Sequence, residues 1–125
     1  MITLNGLFID KSLTEIDKIK KIFNKNDINI SVERVNSEEK FMNKLIDSKY
    51  DVVISDYPNR SLNFLTLLGL YEIHGKNIPL ILLVIENYIE NDYYRKSDSG
   101  KIVFINKDNI EVIIPRVFGM LNLVH

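Results

Sequence analysis

Short apolar runs alternate with longer stretches whose apolar residues recur every three or four positions. Leu7-Phe8-Ile9 predicts a first buried strand that ends at Asp10. Ser12-Leu13-Thr14-Glu15 has the form of a capping box, in which the serine caps an orphan amide and the glutamate reaches back. Leu13, Ile16, Ile19, Ile22 and Phe23 follow at helical spacing, with lysines between them. After the polar break Asn24-Lys25-Asn26-Asp27, the stretch from Ile28 to Val35 largely alternates, as a strand near a sheet edge does. Asn36 and Ser37 precede Glu38-Glu39, a second helix start whose buried stripe is expected at Phe41, Leu45 and Ile46.

The same rhythm continues in the second half. Tyr50-Asp51-Val52-Val53-Ile54-Ser55-Asp56 predicts a third strand, apolar enough to be covered on both faces. A loop at Tyr57-Pro58-Asn59-Arg60 leads into an unusually apolar helix from Leu62 to His74. Gly75 is its stop signal, and His74 suits the negative end of the helix dipole. Pro79 to Ile85 predicts a fourth buried strand, Tyr88 to Tyr94 a weaker helix, and Ser97-Asp98-Ser99-Gly100 a turn. Ile102-Val103-Phe104-Ile105 predicts a fifth strand. Asp108 or Asn109 is expected to cap a last helix running to about Leu123, with a kink at Pro115. Five strands alternating with five helices indicate βα units around a parallel sheet. Right-handed crossovers leave few topologies for such a pattern. Sites in open parallel sheets lie at the C-terminal strand ends, here Asp10, Asp56, Val84 to Glu86 and Lys107.

Composition narrows the chemistry. The 125 residues suit a single domain, 1–125, and 46% hydrophobic with 26% charged residues supports a real core. A net charge of -1 gives no global field toward nucleic acid or an anionic membrane. Cysteine is absent, which excludes disulfides, thiolate catalysis and cysteine-based zinc sites and accords with a reducing, cytoplasmic setting. His74 and His125 lie too far apart in sequence to indicate a histidine metal cluster. The first residues do not read as a signal peptide, and the longest apolar run is too short to span a bilayer.

Taken in order, the strand-end segments resemble those of response-regulator receiver domains. Tyr50 to Asp56 looks like the third strand, which ends in the phosphoacceptor aspartate. Ile78-Pro79-Leu80-Ile81-Leu82-Leu83 is similar to the fourth, and Val103-Phe104-Ile105-Asn106-Lys107 to the fifth, which ends in a lysine. The resemblance covers essentially the whole chain. It implies a flavodoxin-like (βα)5 three-layer sandwich with strand order 2-1-3-4-5. It also implies a two-component signalling role, with Asp56 at the phosphoacceptor position and Lys107 at the phosphoryl-binding position. Val84 and Phe104 fall on the switch positions, where the family has a Ser or Thr and an aromatic residue.

Three departures point to a degenerate, pseudo-receiver variant. The acidic pair that holds Mg²⁺ in the family reads Asp10-Lys11 here, so a metal site of Asp10 and Asp56 is expected to be weak or absent. The Lys11 ammonium is expected to stand in for the metal between Asp10 and Asp56. Val84 has no hydroxyl for a phosphoryl oxygen. The loop after Asp56 carries Pro58 and Arg60, and Asp108 follows Lys107 where the family has proline.

The expected partner is a histidine kinase, a phosphotransfer protein or a constitutive protein partner. In the family the fourth helix, fifth strand and fifth helix form a signalling or homodimer surface; Tyr88, Tyr93, Tyr94 and Phe118 are the candidates for it here. The last helix is so apolar, from Ile110 to Leu123, that a dimer or partner contact is expected on it. No output domain and no enzymatic activity beyond Asp56 itself are expected. Two rival readings stand beside this one. One is a fully functional phosphoacceptor. The other is a small-molecule or nucleotide-binding flavodoxin-like protein, against which Asp10-Lys11-Ser12 is no glycine-rich phosphate cradle.

Overall fold

Fully buried strands need every backbone group paired and both faces covered, and the chain meets both demands with one parallel sheet. The computed structural model describes residues 2–47, 49–57, 59–75, 77–84 and 101–121. The strands are β1 (Ile2–Ile9), β2 (Ile28–Val35), β3 (Val52–Tyr57), β4 (Leu80–Val84) and β5 (Ile102–Asn106). All pairings are parallel, in the order β2-β1-β3-β4-β5. Helices α1 (Leu13–Lys25), α2 (Glu38–Asp47), α3 (Phe64–His74) and α4 (Ile113–Leu121) cover the faces, and a 3₁₀ segment, Lys107–Val112, precedes α4. The helix expected over Tyr88–Tyr94, the turn after it and Leu123 lie outside the described residues.

Period-two alternation divides the strands between two cores. Phe8, Ile54 and Ile81 pack with Ile19 and Phe23 of α1 and Val117 of α4. Leu7, Val53 and Leu82 pack on the other face with Phe41 and Leu45 of α2 and Leu68 of α3. The result is the expected three-layer sandwich.

Several boundaries differ from the sequence expectation, each for a physical reason. β1 begins at Ile2, not Leu7, because it pairs with β2 from Ile2↔Ile28 to Ile9↔Val35. Asn5-Gly6 therefore lies inside a strand, where a Cβ on Gly6 would meet Ile30 and Phe8 side-chain atoms at 2.9 Å. Ile46 is exposed instead of joining the stripe of α2, which is closed by Phe41 and Leu45 alone. The apolar helix starts at Phe64, because Asn63 accepts the Thr66 amide as its N-cap.

At the last helix the cap is Asn106, which accepts from the Asp108 amide, and neither Asp108 nor Asn109 fills that role. Pro115 falls in the first turn of α4, directly after the 3₁₀ segment, and the residue with non-helical φ/ψ in this stretch is Asn109 (φ -125°, ψ 35°). Ile113, Ile114, Val117 and Phe118 form one buried stripe, and Ile110, Met120 and Leu121 pack on the same core. The 3₁₀-to-α junction changes the phase of the pattern, so apolar residues of both segments reach the same core. Phe118 belongs to this core and is not a surface residue.

Candidate functional site

Parallel pairing brings the ends of β1, β3 and β5 to one edge, and with them Asp10, Lys11, Asp56 and Lys107. Asp10 adopts φ 48°, the left-handed region that aspartate tolerates, and its amide donates to Val35 O at 2.7 Å. That turn carries Lys11 into the protein: the whole residue is 2% exposed.

The Lys11 ammonium donates to Asp56 Oδ1 at 2.7 Å and to Glu15 Oε2 at 2.5 Å. Lys107 Nζ lies 3.0 Å from the same Asp56 oxygen and 3.5 Å from Glu15 Oε2. Asp10 pairs instead with the exposed Arg60, at 3.9 Å. The expectation that Lys11 bridges Asp10 and Asp56 is therefore corrected: it bridges Glu15 and Asp56. Sequence reading saw Glu15 only as a helix cap. Its amide does bond the Ser12 hydroxyl, but its carboxylate serves the lysines. The i, i+4 offset from Lys11 was the available signal.

Burial pushes the Glu15 carboxyl up, but its hydrogen bond to Lys11 and the charges of Lys11 and Lys107 outweigh this, leaving it below its ordinary 4.5. Desolvation likewise pushes Lys107 down, and Asp56 and Glu15 outweigh it, leaving the lysine above its ordinary 10.5. A lowered folded-state value means that protonation favours unfolding. Glu15 therefore stabilises the fold above about pH 4.5, and that stability is lost as the pH falls through its lower native value. The Glu15→Gln variant will show a shallower loss of stability on the acid side of pH 4.5 than the parent, read by urea unfolding across the acid range.

Asn59 fastens the loop after β3. Its amide donates to Ile9 O and Ser55 Oγ at 3.2 and 3.1 Å, and its Oδ1 accepts from the Ser61 and Leu62 amides. Val84 is fully buried and pairs with Tyr57. The Tyr57 ring meets Phe64 and Phe104 edge-on, with centroids 5.0 and 5.9 Å apart. Val84 and Phe104 thus sit together in one apolar cluster. Tyr88, Tyr93 and Tyr94 lie outside the described residues.

The donor set does not fit a divalent cation. An ammonium sits between Asp56 and Glu15, Asp10 is paired elsewhere, and among the described residues no three acids or histidines are placed to hold a metal. A hollow of about 270 Å³ opens over Asp10, Asp56, Asn59 and Lys107.

Solved structures share this arrangement of strands. A receiver domain from a Francisella response regulator matches at 22% identity, covering 95% of this chain and 97% of its own, with a TM-score of 0.70. A response regulator from Chloroflexus aurantiacus matches at 17% identity, covering 96% and 98%, with a TM-score of 0.74. The chain has the receiver fold. A third match is the receiver domain of a Pseudomonas aeruginosa sensor histidine kinase, at 13% identity, 96% and 98% coverage and a TM-score of 0.69. It carries a magnesium ion in its active-site cleft. No family model and no curated protein matches the sequence. Among the described residues of this receiver fold, no helix is long and apolar enough to cross a membrane.

Proposed function

We propose that the chain is a receiver-like signalling module of the cytoplasm, in which phosphorylation at Asp56 is weakened or lost and output runs through protein–protein contacts. The observation that carries this reading is the buried Lys11 ammonium 2.7 Å from Asp56 Oδ1. Phosphoryl transfer to a carboxylate needs a free oxygen lone pair and a cation beside the transferring oxygens. Here a fixed ammonium holds Asp56 Oδ1 in the place of that cation, and its bonds to Asp56 and Glu15 resist displacement. Val84 supplies no hydroxyl to a phosphoryl oxygen, and its place within the apolar cluster leaves the position dry. Mg²⁺ has no role in this reading. Receiver domains generally signal without being enzymes, and no turnover is assigned to this one.

Lys107 favours the second reading, a working acceptor, because it stands 3.0 Å from Asp56, where it would hold a phosphoryl oxygen. A histidine kinase or phosphotransfer protein would then be the partner. On the first reading the partner is constitutive, or a second copy of the chain. The test is amide NMR of the pure protein with Mg²⁺ and then beryllofluoride, beside intact mass after incubation with acetyl phosphate. The expected result is no saturable shift at Asp56, Phe104 or Lys107 and no mass gain of one phosphoryl group. Saturable shifts with phosphoryl uptake would establish the working acceptor and overturn the first reading.

A further inference from the structure

Helix α3 is apolar on its outer side as well as its inner one. Leu67, Leu68 and Tyr71 fill the buried face, yet Leu65 and Ile73 on the other face are 63% and 75% exposed. A helix covered on one side only carries polar residues on the other. Leu65, Gly69 and Ile73 follow at steps of four and form one outward ridge. A Cβ on Gly69 would meet nothing within 4 Å. The fold of one copy therefore gives no reason for a glycine there, and glycine inside a helix is less stable than alanine. Close approach of another backbone is such a reason. Ile46, 54% exposed at the end of α2, widens the patch, since its neighbour Leu45 abuts Gly75 at the end of α3.

We propose that this ridge is the interface of a homodimer in which α3 of two copies cross antiparallel at Gly69. The ridge is complementary to itself about its centre. Crossing at Gly69 sets Leu65 of each copy against Ile73 of the other, the reciprocal contact that a two-fold axis requires. Ridges of four-residue spacing interdigitate, and the missing side chain at the crossing lets the two helices close up. Glu72 comes to lie opposite Thr66 and not opposite itself, so no like charges meet. Few charges on the patch also match the core of an interface. One helix ridge is small beside the roughly 800 Å² per partner of a standard interface, so the dimer is a weak one in rapid exchange. α3 and α4 pack on opposite faces of the sheet, so this surface is separate from α4, where the sequence led us to expect a partner contact. The proposal deepens the functional reading above by making a second copy the partner, and rests on it in expecting the dimer without phosphoryl transfer.

The test is sedimentation equilibrium of the full chain, without Mg²⁺ or a phosphoryl donor, at concentrations up to about 1 mM. The parent should show a monomer–dimer equilibrium. Gly69→Glu puts two like charges at the crossing and should weaken the dimer at least about tenfold. It fills space that the single copy leaves open, so it should melt no lower than the parent. Gly69→Ala adds one methyl group to each side of the crossing and should weaken the dimer about threefold or more. It carries the test should the glutamate variant not fold. The chain has no cysteine, so introduced cysteines report the orientation. A mixture of Leu65→Cys and Ile73→Cys should form an intermolecular disulfide faster than Leu65→Cys alone, whose two positions lie roughly 12 Å apart along the helices. A parent that stays monomeric throughout would overturn the proposal and leave the ridge to a different partner. A dimer indifferent to both Gly69 variants would overturn it too, and a faster disulfide in Leu65→Cys alone would overturn the antiparallel crossing. Phosphoryl uptake by the parent would overturn the functional reading while the dimer and its dependence on Gly69 stand, so the two failures are distinguishable.

Discussion

Replacing Asp56 with asparagine will lower the stability of the protein by about 2 kcal/mol. The sign is the informative part. In a cluster of unpaired carboxylates, neutralising one relieves repulsion and raises stability. Here Asp56 is the partner of an ammonium that is almost wholly withdrawn from water, 2.7 Å away. The asparagine oxygen can keep a hydrogen bond but not the charge. Lys11 would then depend on Glu15, whose side chain is 39% exposed and already shared with Lys107. Breaking a buried pair costs about 3–5 kcal/mol when the surviving charge has no other partner, and Glu15 brings the expected figure below that range. Urea unfolding at neutral pH, at low and at high salt, reads the effect. The loss should persist at high salt, since the Lys11 end of the pair is shielded from mobile ions. A gain in stability would mean that Lys11 does not neutralise the site.

Replacing Tyr71 with alanine will cost about 4 kcal/mol, and with phenylalanine about 2 kcal/mol. Tyr71 is fully buried and is the largest of the wholly buried side chains among the described residues. Its hydroxyl donates to Ile78 O at 2.7 Å and accepts from the Lys101 amide at 2.9 Å. One side chain on α3 thus ties the loop before β4 to the start of β5. Burial, partly offset by the Lys101 amide, pushes its hydroxyl above the ordinary 10.0, so it remains a donor at neutral pH. Phenylalanine keeps the ring but orphans two backbone groups, each worth about 1 kcal/mol. Alanine adds the cavity left by the ring. Thermal and urea unfolding of the two variants separates these contributions. Equal losses would mean that the hydroxyl contributes nothing.

The elements were legible wherever local chemistry and burial agree. The apolar runs at Val52–Ile54 and Leu80–Leu83 could only be central strands, and the Ser12–Glu15 box starts α1 where it was expected. Asp10, Lys11, Asp56 and Lys107 were legible as an edge because every strand of a parallel sheet points the same way. Local signals misled where tertiary pairing overrode them. Asn5-Gly6 precedes the apolar run yet sits in β1, which pairs with β2 from Ile2 onward.

Alternation, caps and strand-end chemistry along the chain thus determined by themselves that this is a parallel α/β sandwich with charged residues at one edge. The resemblance to receiver domains added that a lysine stands where that family has a second acid. Only the tertiary structure decided which charges meet. Periodicity reports the face on which a residue lies, but an ion pair depends on angstrom distances between elements far apart in sequence. Lys11 reaches Asp56 across 45 positions, and Asp10 goes to Arg60 instead. Tyr71 and Lys101 join across 30 positions, with no signal in either segment.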